Sequence, residues 1–358
     1  MMRPMTLGEI AAAVGCTDSY FLDNNAKITS ISTDSRPQPE DGDRESCLFV
    51  ALRGEVFDGH AYVGAALRNK AQYALVDKKG AEEYGKELPA QQLIVCEDTE
   101  QGFLDLAGAY RDRYHFRMVG VTGSVGKTTT KELLYAVLSQ GFRAQKTEGN
   151  LNNEIGLPLT LMRMTRDTEV LVAEMGMNHF GELSRMTAAA RPNLAVITNI
   201  GTSHIEFLGS REGICKAKLE ILEGLQGGGT AVLCGDEPLL WDKRGSLGCK
   251  VVTYGIENSA CDLTADLHSD GTFDIVNNGL AAAHLPVGEK FTAKLSIPGK
   301  HNVLNALAAA AVGLLLGEMP ALIAQGLISY QASGMRQNIY EQDGYHIYAD
   351  CYNASPDA

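Results

Sequence analysis

The chain has 358 residues and a net charge of −13, which argues against a nucleic-acid or membrane-surface partner but leaves an anionic small ligand open, because local basic groups decide that. The length allows two or three domains, and the composition is that of a soluble α/β protein with many glycines, 38 in all. Eight Cys without a CxxC pair or zinc spacing read as reduced thiols of a cytoplasmic protein, the N-terminus lacks an apolar signal core, and the longest apolar stretch, Val303 to Leu316, contains Asn305 and is too short to insert in a membrane.

Residues 1–85 form a first unit. Thr6 is the expected N-cap of a short helix to Val14. The alternation of Ile28 to Ser32 and the run Cys47 to Leu52 predict two strands. Ser35 and Arg36 follow the first with Asp34. Asp58, Gly59 and His60 follow the second. These polar groups at strand ends suit a ligand, and equally a turn closed by its own salt bridge.

Residues 86–333 form a second unit. A helix from Thr99 to Arg113 leads into RMVGVTGSVGKTTTKELLYAVLSQG, Arg117 to Gly141. This reads as strand, phosphate loop and helix. Met118, Val119 and Val121 suit a buried strand, and Leu133, Leu134, Val137 and Leu138 share one helix face, with Gly141 expected at the C′ position. The amides of Gly123, Ser124, Val125 and Gly126 and of the helix start converge on one point and attract phosphate. Lys127 adds a positive charge, Thr129 continues the first turn, and the Thr128 hydroxyl can hold Mg2+. The pattern departs from the strict phosphate loop in having Val121 where glycine is usual. Nucleoside triphosphate use follows from this stretch.

Next comes a turn with Asn150, Asn152 and Asn153, either a polar turn or a ligand contact. Val170 to Gly176 predicts a central strand that delivers Glu174 to its C-terminal end, where a P-loop enzyme carries a metal-binding acid. Leu194 to Ile200 predicts another, followed by His204, a structural histidine or a ligand. In the helix starting at Ser210, Lys218 lies on the apolar face of Ile214, Ala217, Ile221 and Leu222. A lysine there must pair, lose its charge, be modified, or snorkel outward.

Thr230 to Cys234 and Lys250 to Tyr254 predict two more strands. Residues 261–298 predict a β-hairpin excursion. Asn302 opens the apolar helix to Leu316, as a cap or as a base-recognition group, and Pro320 starts another helix. Residues 334–358 are expected to begin a third domain that stops mid-loop, so the chain is expected to be the front of a longer protein.

Taken together these motifs resemble the Mur ligase family of ATP-dependent amide-forming enzymes in peptidoglycan synthesis. GSVGKTTTKE resembles the family's phosphate loop, and DCYNASP, Asp350 to Pro356, resembles a DxYNANP motif with Ser355 replacing Asn. GNLNNEIG, Gly149 to Gly156, resembles the member that transfers D-alanyl-D-alanine to UDP-N-acetylmuramoyl-tripeptide. The resemblance implies an α/β fold with a small substrate domain, a central mostly parallel P-loop sheet and a Rossmann-like third domain. It implies ATP and Mg2+, with Thr128, Glu174, His204 and a carbamylated Lys218 near the metals. It also implies Asn302 and Arg336 near the nucleotide. It places Ser35, Arg36, Asp58, His60, Asn150, Asn152, Asn153, Asp350 and Asn353 toward substrates, and Lys127, Lys218 and His204 in catalysis. A monomer is expected. The alternatives are a related ligase, adding diaminopimelate or lysine or building folylpolyglutamate, and a non-catalytic module that binds the nucleotide-linked peptide.

Overall fold

Parallel strands covered on both faces must be apolar along their whole length, and two sets of such runs build two separate sheets. The computed structural model describes residues 2–16, 18–19, 23–36, 46–54, 56–331, 338–342 and 344–349. Contacts divide the chain into two compact units, Met1–His115 with Glu154–Arg166, and Phe116–Asn153 with Asp167–Ala358.

The first unit carries a five-stranded sheet. Ser30–Ser32, Cys47–Val50, Tyr73–Asp77 and Leu93–Cys96 run parallel in that order, and Asp18–Ser19 pairs antiparallel with the last. Cys47–Val50 and Tyr73–Asp77 are buried throughout. Phe49, Val63, Leu67, Val76 and Val95 share one core with the helix Val63–Asn69. The unit extends past residue 85 because Leu93–Cys96 completes its sheet, so the expected boundary falls inside it. Thr6 caps the helix Leu7–Ala13 through a capping box with Glu9.

The second unit carries a nine-stranded sheet. The phosphate-loop strand Arg117–Thr122 lies between Val170–Glu174 and Leu194–Ile197, all parallel. Ala144–Lys146 flanks the former, and Thr230–Cys234, Lys250–Gly255 and Leu263–Leu267 continue beyond the latter. Thr272–Asn277 and Lys290–Lys294 add antiparallel strands. Residues 261–298 thus form the expected hairpin strands, and these extend the main sheet.

The helix Lys127–Leu138 buries Leu133, Leu134, Val137 and Leu138, and packs against the helices Lys300–Leu316 and Pro320–Ser329. It ends before Gly141, which serves a different purpose from the expected cap: a Cβ there would stand 2.5 Å from Glu318 Oε1. Asn338–Gln342 and Tyr345–Ala349 form a two-stranded antiparallel pair. Among the described residues no helix is long and apolar enough to cross a membrane.

Candidate nucleotide site

Because the three central strands run parallel, their C-terminal ends lie along one edge, with Glu174 paired to Val121 and Ile197 to Thr122. The loop after Thr122 turns at Gly123, whose φ is +151° and whose Cβ, if present, would lie 1.9 Å from Thr198 Oγ1. Only glycine fits that approach. The next strand end clamps the loop. Ser124 and Val125 N–H donate to Asn199 Oδ1 at 3.1 and 3.0 Å. Thr198 Oγ1 donates to Val125 O at 2.6 Å, and Gly201 N–H donates to Ser124 Oγ at 2.8 Å. Lys127 folds over the loop, its Nζ donating to Gly123 O at 2.8 Å and Ser124 O at 3.1 Å. Thr130 Oγ1 donates to Asn305 Oδ1 at 3.1 Å, which ties the helix start to the helix Lys300–Leu316.

Glu174 is buried at the end of its strand. Its Oε2 accepts from Thr128 Oγ1 at 3.0 Å, and its Oε1 from Asn152 Nδ2 at 2.8 Å. A hydroxyl and a carboxylate side by side are the hard oxygen donors that Mg2+ takes, with phosphate oxygens and water completing its shell. Among the described residues no group of three or more His, Cys, Asp or Glu forms a ready metal cage. Asn150 and Asn153 are exposed on the same turn as Asn152.

His204 sits at φ +64° ahead of the short helix Ile205–Leu208. Burial, then the charges of Lys218 and Lys127, push its imidazole below the usual histidine range. Lys218 is 2% exposed on the helix Arg211–Leu219, so it does not snorkel. Burial, with Lys127 as second cause, drives its ammonium well below the usual lysine range. The edge thus holds a buried amine whose equilibrium is shifted toward its neutral, nucleophilic form.

Other expected site residues divide. Asn302 is buried at the helix start, where its Nδ2 donates to Pro298 O at 2.6 Å. Arg336, Asp350 and Asn353 lie outside the described residues. In the first unit, Arg36 forms an exposed ion pair with Asp34 at 2.7 Å beside the half-buried Ser35, and the guanidinium pulls the Asp34 carboxyl down to about 2. His60 is 1% exposed and braces its loop. Its Nε2 accepts from Asp77 N–H at 3.0 Å, so its Nδ1–H is the donor to Asp58 Oδ1 at 2.6 Å. Arg53 bonds Asp58 and Asp77 in the same cluster. Sequence reasoning missed Arg53, Lys131, Thr198 and Asn199. Asn199 lay near the C-terminal end of the expected strand Leu194 to Ile200, and that position was the available signal.

Residues 121–313 match the sequence profile of the Mur ligase middle domain. UDP-N-acetylmuramoyl-tripeptide–D-alanyl-D-alanine ligase of Bacillus subtilis is 40% identical over 99% of this chain and 74% of its own. The Escherichia coli enzyme of the same name is 35% identical over 92% and 69%. Among solved structures, MurF from Acinetobacter baumannii superposes with a TM-score of 0.84 at 28% identity, over 99% of this chain and 75% of that one. MurF ligase from Thermotoga maritima, solved in complex with ADP, gives 0.77 at 30% identity, over 92% and 72%.

Proposed function

The chain belongs to the Mur ligase family, and from that membership we propose that it joins D-alanyl-D-alanine to UDP-N-acetylmuramoyl-tripeptide, with ATP cleaved to ADP and phosphate. The observation that carries the reading is the joined set of Lys127, Thr128, Asn152 and Glu174 at the mouth of a clamped phosphate loop. The terminal carboxylate of the tripeptide attacks the γ-phosphorus of ATP, forming an acyl phosphate as ADP leaves. The dipeptide amine then attacks the acyl carbon, the amide bond forms, and phosphate departs. Lys127 and the helix-start amides stabilise charge that builds on the phosphoryl oxygens. Thr128 and Glu174 would hold a Mg2+ that offsets the repulsion between carboxylate and triphosphate.

Lys218 extends the reading. The neutral amine adds CO2 at its nitrogen and releases one proton, so the uncharged buried amine becomes a carbamate anion. Beside His204 that group would hold a second Mg2+. Depression of the Lys218 ammonium by burial supports this step, because only the free amine reacts. The nucleotide-linked substrate suits a cytoplasmic enzyme.

Calorimetric titration with UDP-N-acetylmuramoyl-tripeptide, followed by ADP release assays, tests the proposal. Saturable binding, and ADP release that needs both tripeptide and dipeptide, are expected. A folded sample that binds no nucleotide-linked tripeptide, or one that releases ADP equally well with another amino-acid acceptor, overturns the substrate assignment.

A further inference from the structure

Lys131 is 1% exposed, among the largest fully buried side chains of the protein, yet it carries an ammonium. Positions 128 and 131 share a helix face, and both reach the same oxygen. Thr128 Oγ1 lies 3.0 Å and Lys131 Nζ 3.6 Å from Glu174 Oε2. The ammonium also donates to Gly149 O at 3.3 Å, at the head of the asparagine turn, and pairs with Glu132 Oε1 at 3.2 Å. Glu132 in turn pairs with the half-buried Lys146, whose Nζ lies 4.5 Å from the Tyr135 ring centroid. The result is a line of alternating charges, Lys146, Glu132, Lys131 and Glu174, running to the mouth of the phosphate loop. A buried charge is tolerated only when it is paired and hydrogen-bonded, and each member here supplies the next with that pairing.

We infer that Lys131 is a positioning residue of the nucleotide site. It is the standing counter-charge of Glu174 and fixes the asparagine turn that brings Asn152 to the same carboxylate. Without it, Glu174 would keep only neutral side-chain donors. An uncompensated carboxylate beside the loop repels a metal-free nucleotide and attracts a cation, so the two forms of the ligand are affected unequally. Lys127 Nζ is engaged instead with the loop carbonyls of Gly123 and Ser124. The inference rests on reading the loop as a nucleotide site.

The test compares the unsubstituted chain with Lys131→Met, Glu174→Gln and the double variant, by calorimetry with ADP in chelator and in Mg2+. Lys131→Met is expected to weaken metal-free ADP about tenfold while changing Mg2+–ADP affinity by less than about threefold, as loss of one partly screened charge predicts. In the Glu174→Gln background the effect of Lys131→Met should disappear, because the two residues act as one unit. Equal weakening in both conditions would mean a merely structural lysine, and a full effect persisting in the Glu174→Gln background would mean that Glu174 is not its partner; either overturns the inference. If Lys131→Met does not fold, the double variant decides: removing both charges should restore a folded protein, and failure to do so counts against the pairing. If the unsubstituted chain binds no ADP in either condition, the nucleotide reading itself fails, whatever Lys131 does.

Discussion

Lys127 and Lys218 are one charge problem at the scale of single residues. They sit close enough for Lys127 to help lower the Lys218 ammonium. At neutral pH the depressed group is enriched in free amine, so isotopically labelled bicarbonate should give a carbamate signal by NMR that is absent from Lys218→Ala. On acidification through the lowered value the amine protonates and the signal should fade. A chain that shows no adduct at neutral pH, or a Lys218→Ala variant with full turnover, removes the carbamate from the mechanism. Lys127→Ala is expected to lower turnover at least about a hundredfold, the scale of losing one preorganised stabilising group. The same substitution should let Lys218 hold its proton to higher pH, moving the onset of the carbamate signal upward. An unmoved onset would mean that burial alone sets the Lys218 amine.

At the scale of elements, the strand, loop and helix at Arg117 to Leu138 work through a single close approach. Gly123→Ala would push a methyl against Thr198 Oγ1 in a backbone conformation that side chains rarely adopt. We expect ADP affinity to fall more than about tenfold in that variant while circular dichroism is unchanged, since the strain is local to the loop. Near-normal ADP binding would show that the loop can relax without cost. This element was legible in the sequence because its signals are local: an apolar run, glycines, a lysine and a helical period. Glu174 and Lys218 were legible for the same reason, one by its place at a strand end and one by its spacing on a helix. The clamp was not legible. Asn199 meets Ser124 across 75 residues, and no local pattern marks such a partner. His60 and Asn302 were legible as polar groups at a strand end and a helix start, but their burial was not: His60 bonds Asp58 and the Asp77 N–H, and Asn302 Nδ2 donates to Pro298 O.

At the scale of the whole molecule, two units with separate cores should report their substitutions separately, since a chain of two domains need not unfold as one transition. In the first, a Cβ on Gly80 would lie 2.0 Å from His60 Cδ2, on a ring already fixed at both nitrogens. Gly80→Ala should therefore destabilise that unit by about 1–3 kcal/mol, the usual cost of overpacking. In the second, Glu318 is buried, its Oε1 accepts no hydrogen bond from the described residues, and burial raises its carboxyl above the usual glutamate range despite a bond from Gly141 N–H. A raised folded value means that its favourable contribution is present at low pH and is lost as pH rises through that value. At neutral pH the protein therefore carries a buried charge that Glu318→Gln would not. The variant should be more stable at neutral pH by on the order of 1 kcal/mol, a shift of about 2–4 °C for a unit of this size. The advantage should vanish below about pH 4, where the unfolded glutamate is protonated too. Calorimetric scans of both variants at neutral and acid pH check this. If Glu318→Gln gains as much at low pH as at neutral pH, the carboxylate charge is not the cause. If either substitution moves every transition equally, the two cores unfold as one.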